Sequence, residues 1–265
     1  MKHAILAVAA LGAMCVPVLA QERLNDKDVK ALVSRVETGR DKFDDALDHD
    51  LKSKVIRGPN GEVDVEHFLN DFQQNIDKVE ERLKSDYAAS TEVGTLLRQA
   101  TIIEAFFHQQ TPGTKGESEW NRLAADLSSL ATAYGAVFPL SEHATVRRIG
   151  DGEVVEAADK LSKSASQLKK SLEADLKTNT AVDKPTRDAI IQEADDWSKE
   201  AKALKDRVKD GKPSSAEAEK VLTRAGRMQS FVRNNAVPTA SGAWPEIGSH
   251  VQTVASAYNK SWSTQ

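Results

Sequence analysis

The chain has 265 residues, 29% of them charged and only 5% aromatic, with 36 basic against 40 acidic side chains for a net charge of −4. That mildly acidic balance offers no electrostatic footprint for nucleic acid. One cysteine excludes a disulfide framework and any Cys-x-x-Cys chemistry.

Residues 1–20 read as a cleaved signal peptide. Lys2 and His3 form a short basic start, residues 4–16 are apolar but too short to span a bilayer, and Val18-Leu19-Ala20 supplies small residues for cleavage. The mature chain is expected to begin at Gln21 and to be periplasmic or secreted. Cys15 lies inside the apolar run and leaves with it, and Met14 before it does not fit a lipoprotein signal. No later stretch has the length and apolarity of a membrane span.

In the remainder, scarce aromatics, abundant charge and Gly/Pro confined to breaks predict an all-α protein of long helices. Apolar spacing at i, i+3, i+4 and i+7 predicts helices over 26–52, 64–86, 90–109 and 117–138, then over 151–178, 185–210, 214–234 and 242–262. Leu24-Asn25 and Ile149-Gly150 mark helix starts, with Val29 and Val154 as staple partners one turn inside. Asp183 with Pro185, and Pro213-Ser214-Ser215, mark two more. Gly58-Pro59-Asn60-Gly61, Thr111-Pro112-Gly113 and Pro238-Thr239 read as breaks between helices. Tyr134 with Phe138, and Tyr258 with Trp262, read as i, i+4 pairs closing the last turn of the fourth and eighth helices.

The two quartets are related. WNRLAADLSSLATAY at 120–134 is answered by WPEIGSHVQTVASAY at 244–258, matching Trp120 to Trp244 and Tyr134 to Tyr258. A shift of 125 residues carries Val29, Val36, Phe43 and Leu47 onto Val154, Leu161, Leu168 and Leu172, and keeps register through the next two helices. The expected architecture is a tandem duplication of an up-down-up-down four-helix bundle, eight long helices in all. The first copy takes residues 21–139, a linker 140–150, and the second copy 151–265. Residues 21–140 carry 15 basic against 22 acidic side chains and residues 141–265 carry 20 against 18, which favours packing between the bundles. The apolar linker residues Val137, Phe138, Leu140, Val146 and Ile149 are expected at that joint, with Ile102, Phe106 and Phe138 as interface candidates.

Chemistry is sparse. Asp41, Asp44, Asp45 and Asp48 fall at i, i+3, i+4 and i+7 with His49 beyond, a weak candidate for Ca²⁺ or Mn²⁺ against the simpler reading of a solvated helix face. Asp45/His49, Glu104/His108 and Glu246/His250 form i, i+4 pairs, but no Glu-x-x-His of a di-iron bundle occurs. Covalent haem is excluded, since no Cys-x-x-Cys-His is present, and Met228 reads as core rather than as an axial ligand. Trp120 and Trp244 read as core packing rather than a stacking platform for a sugar or peptide. No Gly-x-Ser-x-Gly, Ser-x-x-Lys, His-Glu-x-x-His or phosphate loop appears. The expected function is a non-catalytic, cofactor-free binding or scaffolding module of the bacterial cell envelope, for a protein partner or a small apolar ligand. The alternatives are a metal- or haem-binding periplasmic bundle and, last, an enzyme.

Overall fold

A computed structural model describes residues 22–58, 61–85, 87–110 and 112–263. The proposed signal peptide lies outside them. Among the described residues the protein is all-α, with nine helices and one two-stranded hairpin. In chain order these are α1 (Asp26–Ala46), α2 (His49–Lys52), β1 (Val55–Gly58), β2 (Gly61–Asp64), α3 (Val65–Lys84), α4 (Ser90–His108), α5 (Glu117–Ala133), α6 (Asp151–Thr178), α7 (Lys184–Lys209), α8 (Ser215–Asn234) and α9 (Pro238–Ala257). None of these helices is long and apolar enough to cross a membrane.

The helices form two sets, each closed into a ring of neighbours. In the first, α1 packs on α3 and α5, and α4 joins α3 to α5; in the second, α6 packs on α7 and α9, and α8 joins α7 to α9. Each ring encloses its own apolar core. The first holds Phe43, Phe72, Leu97, Leu127 and Trp120, and the second holds Leu168, Trp197, Leu204, Met228 and Val251. Trp120, Tyr134, Trp244 and Tyr258 are all buried.

Several boundaries depart from expectation. The first helix stops at Ala46 instead of running to 52, because Asp48 turns its carboxylate onto the Leu51 N–H at 3.0 Å and caps the one-turn α2. The chain then pairs β1 with β2 in antiparallel register, Ile56 opposite Val63, where only a break was expected. Gly61, the first residue of β2, takes a φ of +115°, which glycine tolerates. At the other end of the chain α9 starts at Pro238, not 242. Proline fits the first helical position, and Asp175 of α6 caps the Ala240 N–H at 3.0 Å.

Helices α5 and α9 end five residues earlier than expected, and in the same way. Gly135 (φ +68°) and Asn259 (φ +51°) turn left-handed. The Ala136 N–H then reaches the Ala131 carbonyl at 2.9 Å and the Lys260 N–H reaches that of Ala255 at 2.8 Å, a Schellman closure in each case. Phe138 and Trp262 therefore lie beyond their helices and do not pair with the tyrosines along one helical face.

Candidate functional site

Two polar places stand out as candidate sites. The first is the joint between the sets. An α-helix leaves its first N–H groups without partners and carries partial positive charge there. Here α1 and α6 solve this for each other: the Asp26 N–H donates to Asp151 Oδ2 at 2.8 Å, and the Asp151 N–H donates to Asp26 Oδ2 at 2.9 Å. Two arginines brace the exchange. Arg23 donates to the Ile149 carbonyl at 2.7 Å and pairs with Asp151, while Arg148 donates to the Leu24 carbonyl and to Asp26 Oδ1, both at 2.7 Å. The Arg23 and Arg148 N–H groups donate in turn to the hydroxyls of Ser215 and Ser90, at 3.4 and 3.1 Å. Every member of this lock has its counterpart 125 positions along the chain.

Both guanidinium groups are nearly enclosed, with 7% and 3% of their side chains exposed. Glu22 caps α8 by accepting from the Ser214 and Ser215 N–H groups at 2.7 and 3.0 Å. The terminal tyrosines close the flanks. Tyr134 donates to the Ala88 carbonyl at 2.6 Å, and Tyr258 shares a 2.7 Å hydrogen bond with Ser214 beneath the Arg23 guanidinium. Burial pushes both phenols above their ordinary range, so they remain protonated donors at neutral pH.

The joint is thus polar, which corrects the expectation of an apolar one. Val137 is 79% exposed. Phe138, Leu140 and Val146 pack on the first core, and Ile149 belongs to the second. Linker apolar residues find enough buried surface within one set, while the facing helix starts present backbone N–H groups that only polar partners satisfy.

The second place is a cleft of about 430 Å³ between α3 and α4, beside Gly61 and Val63 of the hairpin and bordered by Asp71, Gln74, Asn75, Lys78, Arg98 and Gln99. Buried Gln99 anchors its floor, donating to the Phe68 carbonyl at 3.3 Å and accepting from Asn75 at 2.7 Å. Asn75 also accepts from Lys78 at 3.3 Å, and Arg98 reaches the Ala144 carbonyl at 3.5 Å. The Asp71 side chain makes no hydrogen bond or ion pair with any described residue. The bordering hydroxyl of Thr95 is turned back onto the Thr91 carbonyl at 3.1 Å. The cleft therefore presents hydrogen-bonding groups of both charges without an activated nucleophile among the described residues, an arrangement suited to holding a polar molecule.

The acidic stripe is dispersed. Asp41 and Asp44 pair with the buried Arg40 at 3.1 and 3.5 Å, Asp44 also takes Lys52 at 2.8 Å, and Asp48 caps α2 and faces Lys115 at 3.6 Å. Because α1 ends at Ala46, Asp48 and His49 no longer continue the face that holds Asp41, Asp44 and Asp45. No group of three or more metal-ligating side chains converges among the described residues. Glu104 receives both the Trp120 indole N–H and His108. Ile102, Phe106 and Phe138 pack partly buried on their own core, with Phe106 edge-on to Phe107 at 5.7 Å. Neither the joint arginines nor the cleft was anticipated, although Arg23 and Arg148 stand 125 apart in the sequence and could have been paired by that shift.

Comparison of the chain with protein-family models, with curated proteins and with solved structures finds no match to any of them.

Proposed function

We propose that the chain is a tandem duplication of an up-down-up-down four-helix bundle, residues 21–139 and 151–265 joined by 140–150, exported through a signal peptide over residues 1–20. It serves as a non-catalytic binding or scaffolding module of the cell envelope. The observation that carries this reading is the reciprocal lock at the joint. Asp26 and Asp151 cap each other's helices and Arg23 and Arg148 brace them, each contact repeated 125 residues on. A charge-assisted lock of this kind, largely withdrawn from solvent, holds two helical bodies in one orientation. Fixed orientation is what a scaffold requires.

Small-angle scattering tests the scaffold. The wild type is expected to scatter as one compact particle, insensitive to moderate salt because the arginines of the pairs are enclosed. Arg23→Ala/Arg148→Ala is expected to extend it into two lobes. An already extended wild type would sink the reading, and so would a double variant that stays compact. Fractionation of expressing bacteria with N-terminal sequencing tests export: a periplasmic product starting at Gln21 supports it, and a cytoplasmic product starting at Met1 refutes it.

A further inference from the structure

The α3–α4 cleft has a counterpart in the second set that shows what such a seam holds when it is closed. Gln99 stands where Arg224 stands 125 residues on, and Phe68, Asp71 and Asn75 stand where Glu193, Asp196 and Glu200 stand. In the α7–α8 seam the Arg224 guanidinium fills the space, bound to Glu193 at 2.5 Å, to Glu200 at 2.7 Å and facing Asp196 at 3.9 Å. In the α3–α4 seam the guanidinium is gone and two of its three acids have become Phe68 and Asn75. The third acid, Asp71, remains without a partner beside the cleft of about 430 Å³. Two cationic side chains border the same cleft. Lys78 and Arg98 each make one long hydrogen bond, at 3.3 and 3.5 Å, which leaves donors on both groups uncommitted.

We propose that this cleft binds a small zwitterion of the amino-acid class. Its guanidinium or ammonium group sits against Asp71, in the place the Arg224 guanidinium takes in the other set, and its carboxylate sits against Arg98 and Lys78. The inference rests on the binding reading above. A plain cation fits less well, because the cleft border carries two positive groups against one negative. A plain anion leaves Asp71 opposed. A molecule with both charges satisfies all three, and the carbonyl oxygen of the Gln74 side chain adds an acceptor for its remaining N–H groups.

Titration calorimetry of the full mature chain with L-arginine is the test, with agmatine as the probe that keeps the guanidinium and lacks the carboxylate. Arginine is expected to bind, and agmatine to bind more weakly. Asp71→Asn should weaken both by about tenfold, the scale of one charge-assisted hydrogen bond. Arg98→Ala should weaken arginine and should not weaken agmatine, which loses a like charge opposite it. The paired substitution Asn75→Glu/Gln99→Arg writes the closed seam into the first set. It should abolish binding while circular dichroism and the scattering profile stay as in the wild type. The proposal is overturned if neither arginine nor lysine gives heat at millimolar concentration, or if the closed-seam variant is folded and still binds. Compact scattering from the same wild-type sample keeps a failure here separate from a failure of the scaffold.

Discussion

Where α7 meets α8, one arginine is gripped by acids from the facing helix; where α3 meets α4, an amide pair lies under an open cleft. The two seams occupy matching positions, and the difference shows how polar substitutions at a helix contact must move together. Removing the guanidinium alone would leave three carboxylates facing one another. Replacing two of them as well, by Phe68 and Asn75, leaves a neutral floor that satisfies itself through Gln99. The charged solution closes the seam because a guanidinium can serve several acceptors at once. The amide solution is shorter and leaves room.

The comparison breaks most sharply at Arg224. Arg224→Ala leaves Glu193, Asp196 and Glu200 without their common cation, and the Arg224 side chain is only 21% exposed. A loss of about 2–3 kcal/mol is expected, below the range for fully buried pairs because water still reaches the seam. Calorimetry should show Tm falling by roughly 5–10 °C. A drop below about 1 °C would mean that the network contributes nothing net, as many exposed pairs do.

Gln99→Ala is expected to cost less, about 1 kcal/mol, since it removes a second bond from the Phe68 carbonyl, which keeps its helical one, and takes the partner of Asn75 from a partly buried place. Urea denaturation should register this as a lower midpoint with an unchanged slope. An unchanged midpoint would show that water entering through the cleft replaces both bonds.

Acid should sharpen the contrast with the smallest effect. Asp195, hydrogen-bonded first to Lys169 and then to Lys199, has its pKa lowered from 3.8 to about 2, and its counterpart in the first set is Asn70, which does not ionise. A carboxyl whose folded pKa is depressed adds stability that is complete above its unfolded value and fades as pH falls through its folded one. The Asp195 share should therefore be present at pH 5 and disappear between about pH 4 and pH 2. Asp195→Asn should flatten that part of the Tm-versus-pH curve. Parallel curves for wild type and variant would remove Asp195 from the account.

Apolar positions carried most of the fold in the sequence. Val29, Phe43, Leu127 and Trp120 announced the first core, and their shifted partners the second, because a buried helix face repeats every three to four residues. Interruptions were harder to read. Leu47 and Leu51 continue the apolar spacing of α1, yet the Asp48 carboxylate caps α2 and divides the helix, a local hydrogen bond that periodicity does not register. The hairpin hid in Asn60-Gly61, a turn signal that also reads as a simple break. The cleft was invisible because the shift was not applied to the polar residues where α3 meets α4. Carried to the polar positions, the same shift sets Gln99 against Arg224 and Asn75 against Glu200. At the joint, counting apolar linker residues drew attention to Phe138 and away from Arg23 and Arg148. Buried helix starts demand hydrogen-bond partners, and hydrophobicity says nothing about those.

The lock between α1 and α6 also bears on quaternary structure. Its two ends are the same motif, an arginine three residues before an aspartate that opens a helix: Arg23 with Asp26, and Arg148 with Asp151. A contact of that kind is self-complementary, the property that lets identical subunits pair about a two-fold axis. One half therefore carries everything needed to pair with a second copy of itself. Residues 21–140 expressed alone should form a homodimer through Arg23 and Asp26, visible as a doubled mass by sedimentation and abolished by Arg23→Ala. The covalent chain would then be a fused dimer. Fusion would raise the effective concentration of the second half and, under the proposed duplication, would leave each copy free to change alone. The difference between the two seams would then be a change of that kind.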